Sequence, residues 1–221
     1  MTTLNGIDVS GIGQGAGFDW VPWRGKISFA FIKASEGLTF KDPDFARNWQ
    51  QAKAEGITRG AYHFLHPDES GTAQAHYFLS VADPQPGDLV MTDYEVVVKG
   101  QSPAAAAACA VQFADTVRSA SGAWPVTYTT QWMAEEGYCA GLGGTPAFIA
   151  NPSHVTLPDP AGPWKLVSFE QTGQRGVDTD VFYGGAAQLA KLSVPHPAAK
   201  LVTKQQATAA LASLTAYVAQ S

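Results

Sequence analysis

The chain has 221 residues, with 14 Lys plus Arg against 19 Asp plus Glu, a formal charge of −5, and only 15% charged positions. That length suits one large domain or at most two small ones, the 45% apolar fraction excludes disorder for most of it, and the mildly acidic balance leaves no electrostatic footprint for nucleic acid. No run of 18 apolar residues marks a transmembrane helix, and the opening Met1-Thr-Thr-Leu-Asn-Gly6 lacks the basic and apolar regions of a secretory signal.

Short β-rich runs alternate with Ala-rich helical runs. Ile7-Asp8-Val9 and Phe29–Ala34 read as the first two strands. Residues 43–55 follow as a helix, with Pro43 near its start, Phe45, Trp49 and Ala52 at helical spacing, and Gly56 at its end. Arg59–Phe64 is the third strand, and a helix carrying Ala73, Tyr77 and Val81 comes after it. Leu89–Glu95 is the fourth strand. Residues 103–120 are the clearest helix, with Ser102 as N-cap and Pro103 in the first turn. Pro125–Thr129 is the fifth strand. Beyond it the helices thin out: 147–150, 165–169 and 177–182 read as three further strands separated by Gly/Pro-rich loop. The repeat argues for an α/β fold, an irregular TIM-like (β/α) barrel of about five βα units followed by three strands with few helices. An open doubly wound sheet is the alternative, but no Gly-rich phosphate loop follows the first strand. Residues 1–192 would form the barrel, and 193–221 a Pro-containing linker and an Ala-rich helix over 203–219 with Leu211, Leu214 and Val218 on one face.

The two cysteines, Cys109 and Cys139, are too few for a disulfide framework and lack zinc spacing, so they read as two buried thiols or one bridge. No Gly-x-Ser-x-Gly elbow points to a serine hydrolase. The informative residues are acids at the C-terminal ends of strands, where such a barrel carries its site. They are Asp8, then Asp93 and Glu95, then Asp178 and Asp180. The i, i+2 spacing within each pair turns both members to one face of a strand. A charge at the end of an apolar strand is costly unless solvated, paired or used. Clustered carboxylates suit glycoside hydrolysis, where one carboxyl stays protonated as general acid, or binding of a divalent cation. In the first case Glu95, with the longer side chain, would be the acid.

These residues resemble the family 25 glycoside hydrolases, the Ch-type lysozymes. The matches run in order across most of residues 6–184: Gly6-Ile-Asp-Val-Ser10, Ile32-Lys-Ala-Ser-Glu-Gly37 with Asp42-Pro-Asp-Phe45, Gly60-Ala-Tyr-His-Phe64, Asp93-Tyr-Glu95, Tyr128-Thr-Thr and Asp178-Thr-Asp180. The resemblance implies N-acetylmuramidase activity on the β-1,4 bond between N-acetylmuramic acid and N-acetylglucosamine of peptidoglycan. Glu95 would be general acid, and Asp8, Asp93 and Asp178 the other acids of the site. The second carboxylate would serve either as nucleophile or as a positioner of the substrate's own acetamido group, and Asp93 is the choice for the latter. Three departures from the family touch the sugar subsites: Gly11-Ile-Gly-Gln-Gly15 in place of an aromatic or His pair, Phe148 where Trp is frequent, and Phe169-Glu-Gln171 where Trp-Gln-Tyr is frequent.

Tyr62, Tyr94 and Tyr128 at strand ends are candidates for stacking on sugar, and Lys33 and Glu36 for an ion pair on the cleft floor or a substrate contact. Asp180 is a further substrate-binding candidate. His63, alternating with Tyr62, is expected to face away from the site. No cofactor or metal is expected. The resemblance implies the peptidoglycan glycan as partner, and no nucleic acid, no membrane anchor and a monomer are expected. The missing secretory signal fits a phage endolysin or a secreted enzyme whose leader is absent. Competing readings are a non-catalytic wall-binding barrel, a chitinase-like glycosidase (disfavoured by Met91 at one of that motif's acid positions) and a divalent-metal enzyme.

Overall fold

The computed structural model describes residues 2–14, 17–151, 162–174 and 176–196. Among them are nine strands and five α-helices: β1 (Leu4–Val9), β2 (Phe29–Glu36), β3 (Phe40–Lys41), α1 (Phe45–Ala54), β4 (Thr58–Phe64), α2 (Gly71–Ala82), β5 (Leu89–Asp93), α3 (Pro103–Ser121), β6 (Val126–Thr130), α4 (Gln131–Glu135), β7 (Ala147–Ala150), β8 (Phe169–Gln174), β9 (Asp178–Phe182) and α5 (Ala186–Ala190). Strands β1, β2, β4, β5, β6, β7 and β8 pair in parallel in that order, and β9 runs antiparallel to both β8 and β1 and closes the ring. The two-residue β3 folds back on the end of β2. The architecture is thus a closed eight-stranded barrel of mixed direction. The first crossover, β1 to β2, passes only through a 3₁₀ turn at Val21–Trp23 among the described residues, and the next four carry α1 to α4.

Alternation along the strands builds two apolar layers. Phe29, Phe31, Leu89, Val126, Phe148, Phe169 and Phe182 fill the barrel, with five of their ring contacts spaced between 4.7 and 5.9 Å. Gly60 makes room for them, since a Cβ there would stand 2.4 Å from the Phe31 ring. Ile7, Val9, Ala30, Ile32, Phe78, Phe113 and Val117 belong to the layer between the sheet and the helices. There α2 and α3 approach so closely that a Cβ on Gly71 would sit 2.0 Å from the Cys109 carbonyl oxygen. Helix α3 is capped as its sequence requires, the Ser102 hydroxyl accepting from the Ala105 amide at 3.2 Å. Opposite the site, Arg59 donates to both carboxylate oxygens of the buried Asp88, at 2.8 and 3.0 Å, and lies 4.1 Å over the Trp49 ring. Both cysteines are free and buried, and burial pushes each thiol up to about 11.

Three expected boundaries move. The seventh barrel strand is Phe169–Gln174 and not 165–169, because the apolar Leu166-Val167 lies before the strand, with Leu166 largely exposed. Strand β5 ends at Asp93, so Glu95 stands beyond the ladder. The residues taken as the start of a linker pack on the barrel instead: the Val194 amide donates to the Asp88 carbonyl at 2.8 Å and its own carbonyl accepts from Gly87 at 2.9 Å. Residues 203–219, expected as a helix, lie outside the described residues.

Candidate active site

The C-terminal ends of the parallel strands surround a cavity of about 150 Å³, lined by Asp8, Tyr62, Met91, Asp93, Glu95, Tyr128, Gln171 and Asp178. The four acids arrive from three strands. Asp8 closes β1, Asp93 ends β5 with Glu95 two residues on, and Asp178 opens β9 directly opposite Asp8 in the β1–β9 register. The inward alternation that places Phe29 and Phe31 in the barrel continues to Lys33, which is almost fully buried.

This crowding governs protonation. Asp8 is half-buried, and desolvation, then Asp178 and Glu95, push its carboxyl up to about 8, against the lowering influence of the Gln171 side chain. Asp93 is buried and held well above the ordinary carboxylate range by desolvation, then Glu95 and Asp8, with Lys33 opposing. Glu95 is exposed at the cleft mouth, yet its carboxyl is raised by partial desolvation and by Asp178, again with Lys33 opposing. Burial also raises Asp178. Such a site keeps at least one acid protonated beside ionised neighbours, as general acid catalysis requires.

The remaining candidates fall into three groups. Tyr62 and Tyr128 line the cleft, and the Tyr128 hydroxyl donates to Gln171 Oε1 at 3.0 Å. Lys33 and Glu36 form an ion pair at 2.7 Å, and Glu36 also meets His66 Nε2 at 3.0 Å. Burial works against the Glu36 charge, but the hydrogen bonds from Lys33 and His66 outweigh it and lower the pKa. Lys33 also lies 4.9 Å over the Phe64 ring. Asp180 is buried behind Asp178, with neither carboxylate oxygen hydrogen-bonded among the described residues, and it does not line the cavity. Tyr94 is a correction. The alternation that turns Asp93 and Glu95 inward turns Tyr94 outward, into the layer under the helices, where its hydroxyl donates to the Tyr138 carbonyl at 3.2 Å. It cannot stack on sugar.

His63 also faces away from the cleft, between Ser35 and Gln74 at 2.9 and 3.2 Å, and burial holds it down at about 4. Gln171, noted from the sequence only within the Phe169-Glu-Gln171 departure, lines the cavity as well; the signal for it was a polar residue two positions on from the core Phe169, on the same strand face. Among the described residues no three His, Cys, Asp or Glu side chains are set as ligands for a metal ion, and no helix is long and apolar enough to cross a membrane.

The family described as glycosyl hydrolases family 25 matches residues 7–156 of this chain. An N,O-diacetylmuramidase of Arthroderma benhamiae is 31% identical over 86% of this chain and 87% of its own length. Lysozyme M1 of Streptomyces globisporus is 32% identical over 86% of this chain and 74% of its own. Among solved structures, the bacterial lysozyme of Streptomyces coelicolor superposes with a TM-score of 0.77 at 31% identity, covering 86% of this chain and 96% of that one.

Proposed function

The chain belongs to glycosyl hydrolase family 25, and from that premise we propose that it is a lysozyme that hydrolyses the β-1,4 bond between N-acetylmuramic acid and N-acetylglucosamine in peptidoglycan. The observation that carries the reading is the convergence of Asp8, Asp93, Glu95 and Asp178 on one cleft at the C-terminal end of the barrel. Glu95 is the outermost of the four and has a raised pKa, so it is the general acid that protonates the leaving sugar oxygen. Asp93, deeper and beside Lys33, positions the substrate's 2-acetamido group, whose carbonyl oxygen attacks the anomeric carbon as the bond to the leaving oxygen breaks. Water then opens the cyclic intermediate, with Glu95 taking the proton back. Asp178 rather than Asp180 is the fourth acid, since it lines the cavity.

The protein works as a monomer: the barrel closes on itself through β1–β9, so the ring itself offers no free strand edge for pairing with another copy. The barrel domain takes in residues through Val194, whose backbone bonds to Gly87 and Asp88. The test is mass spectrometry of peptidoglycan digested by the protein. Fragments ending in reducing muramic acid are expected. Fragments ending in reducing glucosamine, or turnover of chitin oligomers alone, would replace the reading with a different glycosidase.

A further inference from the structure

One buried polar group in the cleft has no role in the chemistry above. Gln171 sits mid-strand on β8, is 3% exposed, and lines the cavity beside Asp8 and Tyr128. A primary amide in an apolar barrel costs free energy unless both ends are used. Its oxygen accepts from the Tyr128 hydroxyl at 3.0 Å, which leaves the NH₂ end to face the Asp8 carboxylate. The Tyr128 ring is itself fixed edge-on against Phe148, at 5.0 Å and 88°. The contact chain therefore runs from a core phenylalanine through a tyrosine hydroxyl and an amide to a site acid.

We propose that Gln171 is a positioning residue that, seated on the Tyr128 hydroxyl, orients the Asp8 carboxylate in the cleft. An amide NH₂ toward a carboxylate favours its charged form, and Gln171 is the neighbour that lowers the Asp8 pKa against everything else around it. The groups acting on Asp8 are Asp178 and Asp180 from β9, Asp93 and Glu95 from the end of β5, Tyr62 from β4 and Tyr128 from β6. Lys33 on β2 acts on Asp93 and Glu95. Gln171 thus divides the labour with Lys33: the cation favours charge on one side of the cleft, the amide on the other.

The inference rests on the lysozyme reading for its catalytic meaning but not for its test. Carbon-13 NMR titration of the free protein follows the Asp8 carboxyl directly. Gln171→Met keeps side-chain length and removes the amide, and Gln171→Leu removes it with a shorter apolar side chain, neither adding a charge to the cleft. Either is expected to raise the Asp8 midpoint by roughly half to one pH unit. Tyr128→Phe, which unseats the amide, is expected to raise it less, and to add nothing when combined with Gln171→Met. An Asp8 midpoint unchanged in Gln171→Leu and Tyr128→Phe would overturn the proposal, whether or not Gln171→Met folds. In wall-clearing assays, the pH–rate limb of Gln171→Met should move in the same direction with little change in KM. A uniform loss at every pH would count against positioning. A moved Asp8 midpoint in a protein that releases no sugar would leave the positioning intact and reject the lysozyme reading.

Discussion

At Glu95 the proposed chemistry comes down to one proton. Replacing a general acid by its amide costs on the order of 10²–10⁴ in rate, so Glu95→Gln should fold normally and lose wall clearing by that factor. Asp8 makes a second prediction, about stability. Its folded pKa of about 8 lies above the ordinary 3.8, so the folded state holds a proton that the unfolded state releases between those values. Stability on this account is full below about pH 4 and is lost as pH rises toward 8. Buried His63 works in the opposite sense. Its pKa falls from 6.5 to about 4, so it removes stability as pH drops through that interval. Asp8→Asn should therefore raise the urea midpoint at pH 8 more than at pH 5, at the expense of activity, as acids crowded for function commonly do. An equal change at both pH values would refute the assignment. The acid positions were legible because spacing and strand ends fix where they point. Tyr94 was misplaced although that same alternation, applied to it, would have turned it outward.

Strands and helices follow their apolar periodicity where packing alone decides, as in α3, whose cap and first-turn proline mark its start. They escape it where function intrudes. Strand β8 reads Phe169-Glu-Gln-Thr-Gly-Gln174, too polar for an ordinary barrel strand, because Gln171 turns to the cleft and the buried Glu170 accepts from Asn151 at 2.6 Å and from the Tyr183 hydroxyl. A hydrophobic pattern search slides onto Leu166-Val167 instead, a failure expected where a functional strand breaks local rules. Close approach and buried charge give three predictions at the scale of the elements. Gly60→Ala pushes a methyl into the Phe31 ring and should cost about 1–3 kcal/mol in denaturant unfolding. Arg59→Met leaves the Asp88 carboxylate buried and unpaired and should cost roughly 3–5 kcal/mol. Gly71→Ala meets backbone rather than a movable ring and should be the more damaging of the two alanines.

For the whole molecule, the net charge of −5 matters less than where a few acids sit. Closing the ring with two antiparallel pairings brings Asp178 opposite Asp8, a juxtaposition that no local pattern in the sequence reveals. The count of strands, their closure into a barrel and the thinning of helices after β6 were readable; the antiparallel direction of β9 and the seating of Val194 on the barrel floor were not, because both depend on contacts between distant segments. The most direct test of the central claim counts new muramic acid reducing ends released from purified peptidoglycan by the wild type and by folded Glu95→Gln at equal concentration. Steady release by the wild type and almost none by the variant is the predicted result. Equal release by both, or none by either, would contradict the account.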